Sequence, residues 1–324
     1  MNHTSRRLDR FPGRAHSIPV LVTIALLVVD IVTLPDSVGL SHLPATLGTL
    51  APFVIAGLAS TPAILCGGGG IDLSIAPLMG LVDIVLATKL LGTPLGGPAV
   101  AIPILLVLGA AVGTLNGLLI TKVRYPPVIA TLGMYFILSA LDLQLAPQPV
   151  AAPAEWTSAL AGSVGVVPGA VITIGAPLLA WFFLRRTPFA EAVLTVGDND
   201  ATAFSAGVRV DRVRICAYAL GGLIAAVGGI ALEGLIRSGD ATAFGSYMLV
   251  ALAAVALGGT NLAGGEGGLG ASAVGATGLF LINNILAGLG VSAVYTQVAY
   301  GSVLVFALVV QGVVSGTPTR EEAV

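Results

Sequence analysis

Ten apolar runs, punctuated by glycine, proline or charge, follow one another at about 18–35, 45–66, 73–91, 99–121, 128–146, 167–184, 212–236, 246–258, 268–288 and 293–314. A helix needs about 20 apolar residues to cross the hydrocarbon of a bilayer. Backbone amides cannot go unpaired there, so the runs are expected to be helices. A membrane β-barrel would show alternating segments of about ten residues instead. Only 9% of the 324 residues are charged and 56% are hydrophobic, whereas a soluble domain carries roughly a quarter charged residues. The expected fold is an all-α, polytopic transmembrane bundle of about ten spans, with membrane lipid as its solvent.

The basic residues test both count and orientation. With the N-terminus in the cytoplasm, Arg6, Arg7, Arg10, Arg14, Lys122, Arg124, Arg185, Arg186, Arg209, Arg212, Arg214 and Arg320 fall inside, and only Lys89 and Arg237 fall outside. A split of 12 to 2 follows the positive-inside rule. It predicts both termini cytoplasmic, with residues 1–17 and 316–324 as cytoplasmic ends of a membrane domain over 18–315. Four arginines before an apolar run also resemble a secretion signal. No clear small-x-small cleavage site ends that run, so it reads as an uncleaved first span.

Two loops are long. The segment 147–168 is expected outside and contains Trp156 and several prolines; it reads as a connector or as a dock for an external partner. The segment 185–210 is expected inside. There Asp198, Asn199 and Asp200 precede the small residues 201–206, and Gly207 follows. Short polar residues start helices and glycine ends them, which predicts a short cytoplasmic helix over about 200–206. Glycines also cluster at 67–70 and 258–270, and the run between Gly245 and Gly258 is short for a span. Interrupted spans in the two halves of a transporter often mark its pathway. Gly113 and Gly117 form a G-x-x-x-G pair suited to close helix packing.

Little catalytic chemistry is present. No Walker A pattern occurs, and 67–70 lacks the Lys-Ser/Thr that would follow it. His3, His16 and His42 cannot form a local cluster with Cys66 and Cys216, both of which sit in or beside apolar runs. No cofactor, metal or nucleic acid is expected, and the chain reads as non-catalytic. Charge in hydrocarbon is costly, which singles out Asp30, Asp83 and Asp142 within apolar runs and Asp72 after the first glycine cluster. An ion-coupled secondary carrier would use such groups; otherwise they are solvated or locally hydrogen-bonded. Asn116, Asn283 and Asn284 suit either a path for a neutral solute or joints between helices. Asp72, Ser74, Asn116, Asn283 and Asn284 are the candidate pathway residues.

Several segments, taken in order, resemble one family. Gly69-Gly70-Ile71-Asp72-Leu73-Ser74 is similar to a G-G-I-D-L-S signature. Asn116-Gly117-Leu118-Leu119 and Pro126-Pro127-Val128-Ile129-Ala130-Thr131-Leu132-Gly133 are similar to N-G-L-L followed by P-P-F-I-A-T-L-G. Leu257-Gly258-Gly259-Thr260-Asn261-Leu262 with Gly264-Gly265 is similar to L-G-G-T-S-L-x-G-G, and Asn283-Asn284, Gly290-Val291-Ser292 and Gly301 continue the series. Over about 45–312 the chain resembles the transmembrane permease subunit of ribose/xylose-type ABC sugar importers, within the branched-chain amino-acid and sugar permease superfamily.

The resemblance implies one membrane subunit of an ATP-driven importer for a sugar or similar small polar solute, in the bacterial plasma (inner) membrane. It implies an ABC ATPase subunit, an extracytoplasmic solute-binding protein and a second permease chain, as homodimer or heterodimer. The short cytoplasmic helix becomes the coupling helix, with Asp200, Ala203, Phe204 and Gly207 at the ATPase contact. Two departures stand out. Ala201, Thr202, Ala203 and Phe204 replace the family's Glu-Ala-Ala-Arg, and Tyr247-Met248-Leu249-Val250 replaces Tyr-Glu-Leu-Asp.

Overall fold

The structure, a computed structural model, describes residues 17–35, 39, 42–153 and 155–314. Arg6, Arg7, Arg10, Arg14, Arg320, His3 and His16 lie outside the described residues, as do both chain ends. Every one of the ten apolar runs is helical. In order come α1 (Ser17–Thr33), α2 (Leu43–Leu65), α3 (Ile75–Val85) continued by a π turn (Leu86–Leu90), α4 (Pro98–Thr121), α5 (Pro127–Leu145), α6 (Ser158–Ala161), α7 (Gly169–Leu184), α8 (Pro188–Asp198), α9 (Asp200–Ser205), α10 (Val210–Ile236), α11 (Tyr247–Leu257), α12 (Leu269–Gly288) and α13 (Ala293–Val314). Two-residue strands make small antiparallel pairs: β1 (Val150–Ala151) with β4 (Ser238–Gly239), and β2 (Ser163–Val164) with β3 (Val167–Pro168).

Helices α2, α4, α5, α10 and α12 are long and apolar enough to cross a membrane alone. A sixth span arises if α7 and α8, which meet at 87°, count as one. On length, then, the all-α membrane fold stands at five to six spans against the ten expected. Helices α1, α11 and the described part of α13 are apolar but shorter. Helix α3 is short because glycine breaks precede it, and α11 is bounded by a loop and a glycine-rich segment.

Helix α2 is the axis: every residue from Ala51 to Leu65 is buried, including Pro52 and Pro62. Against one side pack α3 and α10, and α4 closes on α10 through glycines one turn apart. A Cβ on Gly117 would lie 2.7 Å from the Ile215 Cα, and Gly113 and Gly109 meet the backbones of Tyr218 and Gly222. Small residues at such spacing let helices touch backbone to backbone. On the other side of α2 lie α11 and α12. Phe53 joins them, with ring centroids 5.4 Å from Tyr247, 5.7 Å from Phe280 and 6.4 Å from Tyr300, all edge to face. Val107, Phe136 and Phe306 point outward, more than 60% exposed. Apolar faces of this kind fit hydrocarbon and not water.

The segment 147–168 is more than a free connector. The Trp156 Nε1 donates to the Gly96 carbonyl at 2.8 Å, and the Gly92 N–H donates to Glu155 at 2.8 Å. With the β1–β4 pair, these bonds tie that segment to the ends of α3, α4 and α10.

Candidate functional site

The site begins where α2 stops. Gly67, Gly68 and Gly69 have φ of 66°, 64° and 72°. Only glycine adopts that region without strain, so three in succession end the helix. The chain turns and restarts as α3 after a short Asp72–Ser74 turn. The Asp72 Oδ1 accepts the Ser74 N–H at 2.9 Å and the Ser74 Oγ–H at 2.6 Å. A carboxylate at a helix start faces unpaired amides and the positive end of the helix dipole.

Helix α4 completes the cluster. The Asn116 Nδ2 donates to Ser74 Oγ at 2.8 Å and reaches Asp72 Oδ1 at 3.5 Å. Asp72, Ser74 and Asn116 are 5%, 1% and 0% exposed, so the cluster is sealed from solvent. Thr131 of α5 donates to the Ile71 carbonyl at 3.1 Å and holds the turn from the side. Two atoms stay unmatched. The Asn116 Oδ1 and the Tyr218 Oη are buried without a partner among the described residues, and Tyr218 lies within electrostatic range of Asp72. A buried unpaired polar group costs free energy and calls for an explanation. Tyr218 was missed in the sequence because one tyrosine in an apolar helix carries no spacing signal.

The other two candidate pathway residues lie elsewhere. Asn284 on α12 donates to Asp30 of α1 at 2.8 Å. Among the described residues no hydrogen bond joins Asn283 or Asn284 to the Asp72 cluster. That bond joins α12 to α1.

The segment 185–210 holds two helices where one was expected. Helix α8 has Pro188 in its first turn, a position that suits proline. It buries Ala190, Val193 and Val196, spaced three apart, against Leu65, Cys66, Val213 and Ala217. The expected helix is α9, started by Asn199, whose side chain accepts the Thr202 N–H at 3.0 Å. It ends before Gly207, at φ 83°. Of the four predicted contact residues, Ala203 is fully buried and Phe204 is 74% exposed. Asp200 pairs with Arg214 of α10 at 2.8 Å.

Glycine joins this loop to the Asp72 turn. A Cβ on Gly67 would lie 2.7 Å from the Gly197 carbonyl oxygen, and one on Gly264 would lie 2.5 Å from the Gly67 Cα. Gly197 itself abuts Leu65 and Gly265, and the Gly265 N–H donates to the Leu65 carbonyl at 3.1 Å. The ends of α2 and α8 and the α11–α12 loop thus meet as bare backbone. The Arg214 guanidinium, paired to Asp200, fills the space beside Gly68. At the same end Lys122 pairs with Asp211 at 2.7 Å.

Buried acids gather away from this end. Asp83, Asp142 and Glu233 are each 0% exposed, so of the two readings, solvated or locally hydrogen-bonded, the second is the one Asp83 fits. Asp83 Oδ2 accepts the Asp240 N–H at 3.3 Å; its Oδ1 and both Asp142 oxygens have no partner among the described residues. Among those residues no group of three or more His, Cys, Asp and Glu is placed to hold a metal ion.

A family profile described as "Branched-chain amino acid transport system / permease component" matches residues 45–310. The chain belongs to this family. The permease is similar to the ribose import permease protein RbsC of Escherichia coli (strain K12), 35% identical over 248 residues, 74% of this chain and 77% of that one. It is similar to the fructose import permease protein FrcC of Rhizobium meliloti, 32% identical over 285 residues, 82% of this chain and 78% of that one. The probable ABC transporter permease protein YphD of Escherichia coli (strain K12) is 36% identical over 308 residues, 93% of this chain and 91% of its own. No solved structure matches the permease significantly. The matched region runs from the start of α2 into α13, so it takes in the glycine break, the Asp72 cluster and both loop helices.

Proposed function

We propose that this permease forms the translocation path of an ABC importer for a sugar or similar polyhydroxylated solute in the bacterial inner membrane. The observation that carries the reading is α9. It offers Phe204 as a 74% exposed anchor while Ala203 is buried and Asp200 is pinned by Arg214. A rigid small-residue helix with one projecting aromatic suits the groove of an ATPase, and a buried aromatic anchor often dominates an interface. The relatives named as ribose and fructose import permeases support the solute class. Asp72, Ser74 and Asn116 line the path in this reading, with Tyr218 added. The reading keeps Asn283 and Asn284 as candidates on α12, where Asn284 is bonded to Asp30.

The same reading carries ten spans, with α1, α3, α11 and α13 counted, and both termini in the cytoplasm. It also carries an ATPase on a separate chain, an extracytoplasmic binding protein and a second permease chain. The test is reconstitution of the permease with its ATPase and binding protein in vesicles. ATP-dependent uptake of radiolabelled ribose or fructose is the expected result. Concentrative uptake by the permease alone under a proton or sodium gradient would replace this reading with that of a secondary carrier.

A further inference from the structure

A groove of about 210 Å³ runs between α4, α7, α10 and the start of α12. Its walls are apolar, among them Leu106, Pro177, Trp181, Leu184, Leu223 and Leu269. From Ala176 to Leu184 it follows two turns of α7, about 12 Å at 1.5 Å per residue. Immediately beyond Leu184 stand Arg185 and Arg186. Both guanidinium groups lie over one ring, with their Cζ atoms 4.9 Å and 4.1 Å from the Phe182 centroid. Two cations held this close repel each other. The ion pairs among the described residues are Lys122–Asp211 and Arg214–Asp200, so neither arginine has a carboxylate partner there.

From this juxtaposition we infer a binding site for an anionic phospholipid. The phosphodiester sits between Arg185 and Arg186, and one acyl chain lies in the groove. Guanidinium is the side chain best matched to phosphate, because its planar fork donates two parallel hydrogen bonds. Phe182 holds both forks at the height of the headgroup, and the groove removes the chain's methylenes from contact with mobile lipid. A zwitterionic lipid brings its own cation and gains less from the pair.

The site is tested on the detergent-purified full-length chain by native mass spectrometry. Palmitoyl-oleoyl phosphatidylglycerol and phosphatidylcholine are added at equal concentration. The wild type is expected to retain phosphatidylglycerol at least fivefold over phosphatidylcholine. Arg185→Gln with Arg186→Gln should abolish that preference. Ala180→Trp, which fills the groove with both arginines present, should lower retention of either lipid. Equal retention of the two lipids by the wild type would overturn the assignment, as would an unchanged preference in the double variant. Disulfide-linked dimers of a Leu223→Cys variant in native membranes would give the groove to a second copy and also overturn it. None of these readouts uses transport, so failure here leaves the importer reading standing, and failure of sugar uptake leaves the lipid site standing.

Discussion

The side-chain amide of Asn116 donates to the hydroxyl of Ser74 at 2.8 Å, and that hydroxyl donates in turn to Asp72. The turn before α3 and helix α4 thus make one relay, and the Asn116 carbonyl oxygen is left over, buried and without a partner among the described residues. Ser74 is the middle member. Ser74→Ala removes a donor to the carboxylate and an acceptor for the amide together. We expect a loss of about 1–3 kcal/mol of stability, the usual cost of orphaning a buried polar group. Uptake should fall at least tenfold while membrane insertion, followed by fluorescence size exclusion, stays intact. Asn116→Ala should lower uptake with a smaller loss of stability, because it removes the idle acceptor as well. Normal uptake in both variants would remove the cluster from the path.

Phe204 projects from a helix held by buried Ala203, the Asn199 cap and the Asp200–Arg214 pair. Exposed side chains away from special contacts change stability by less than about 0.5 kcal/mol, so Phe204→Ala should melt like the wild type. Its affinity for the ATPase should drop by about 2 kcal/mol, close to thirtyfold in Kd. Ala203→Asp makes the contrast, since it forces a charge into a fully buried position and should destabilise the chain itself. Wild-type ATPase binding by the Phe204 variant, measured by co-purification, would take the anchor role away.

The meeting of Gly67, Gly197 and Gly265 has no room for a methyl group. Gly197→Ala should cost about 1–3 kcal/mol through overpacking and should uncouple ATP hydrolysis from solute even where the protein folds. Gly133→Ala, at a helical position with nothing within 4 Å of the added Cβ, should gain roughly 0.5–1 kcal/mol. Thermal melts of the pair decide the point: equal shifts would mean that the junction yields easily.

Both oxygens of Asp142 are buried and without a partner among the described residues, so they contribute no hydrogen bond to lose there. Replacing a buried, unsatisfied group with an apolar one of similar volume is often neutral or stabilising. Asp142→Leu is expected to keep ATP-driven uptake and to raise the melting temperature by a few degrees. A secondary carrier that binds its coupling ion there would lose all concentrative uptake in the same variant.

Orientation follows from labelling. A cysteine placed at Trp156 should react with an impermeant maleimide from outside, and one at Arg186 should not. Reversal of the two would invert the permease and move α9 away from any cytoplasmic ATPase.

Much of this fold was legible because hydrocarbon imposes one rule on long apolar runs, and all ten runs are helical. The start of α9 was legible for a local reason, the Asn199 cap, and its end for another, Gly207. Helix α8 was not, because its buried Ala190, Val193 and Val196 are too few to stand out in so apolar a chain. The Asp72–Ser74 contact lies within one turn and could be read from the motif. Its extension to Asn116 depends on how α4 packs against α10 and on where α3 restarts. Asn283 and Asn284 looked equivalent to Asn116 because residue type alone does not say which helix a side chain faces.

The junction of Leu65, Gly197 and Gly265 also fixes an order of assembly. Its three parts leave the ribosome far apart in time, and the last is separated from the first by 200 residues. Helix α8 and the exposed face of α9 therefore lack a complete seat until α11 and the loop after it have been synthesised. A chain that stalls before Gly265 presents the loop without its backbone support, which distinguishes unfinished chains from finished ones at the surface that carries α9.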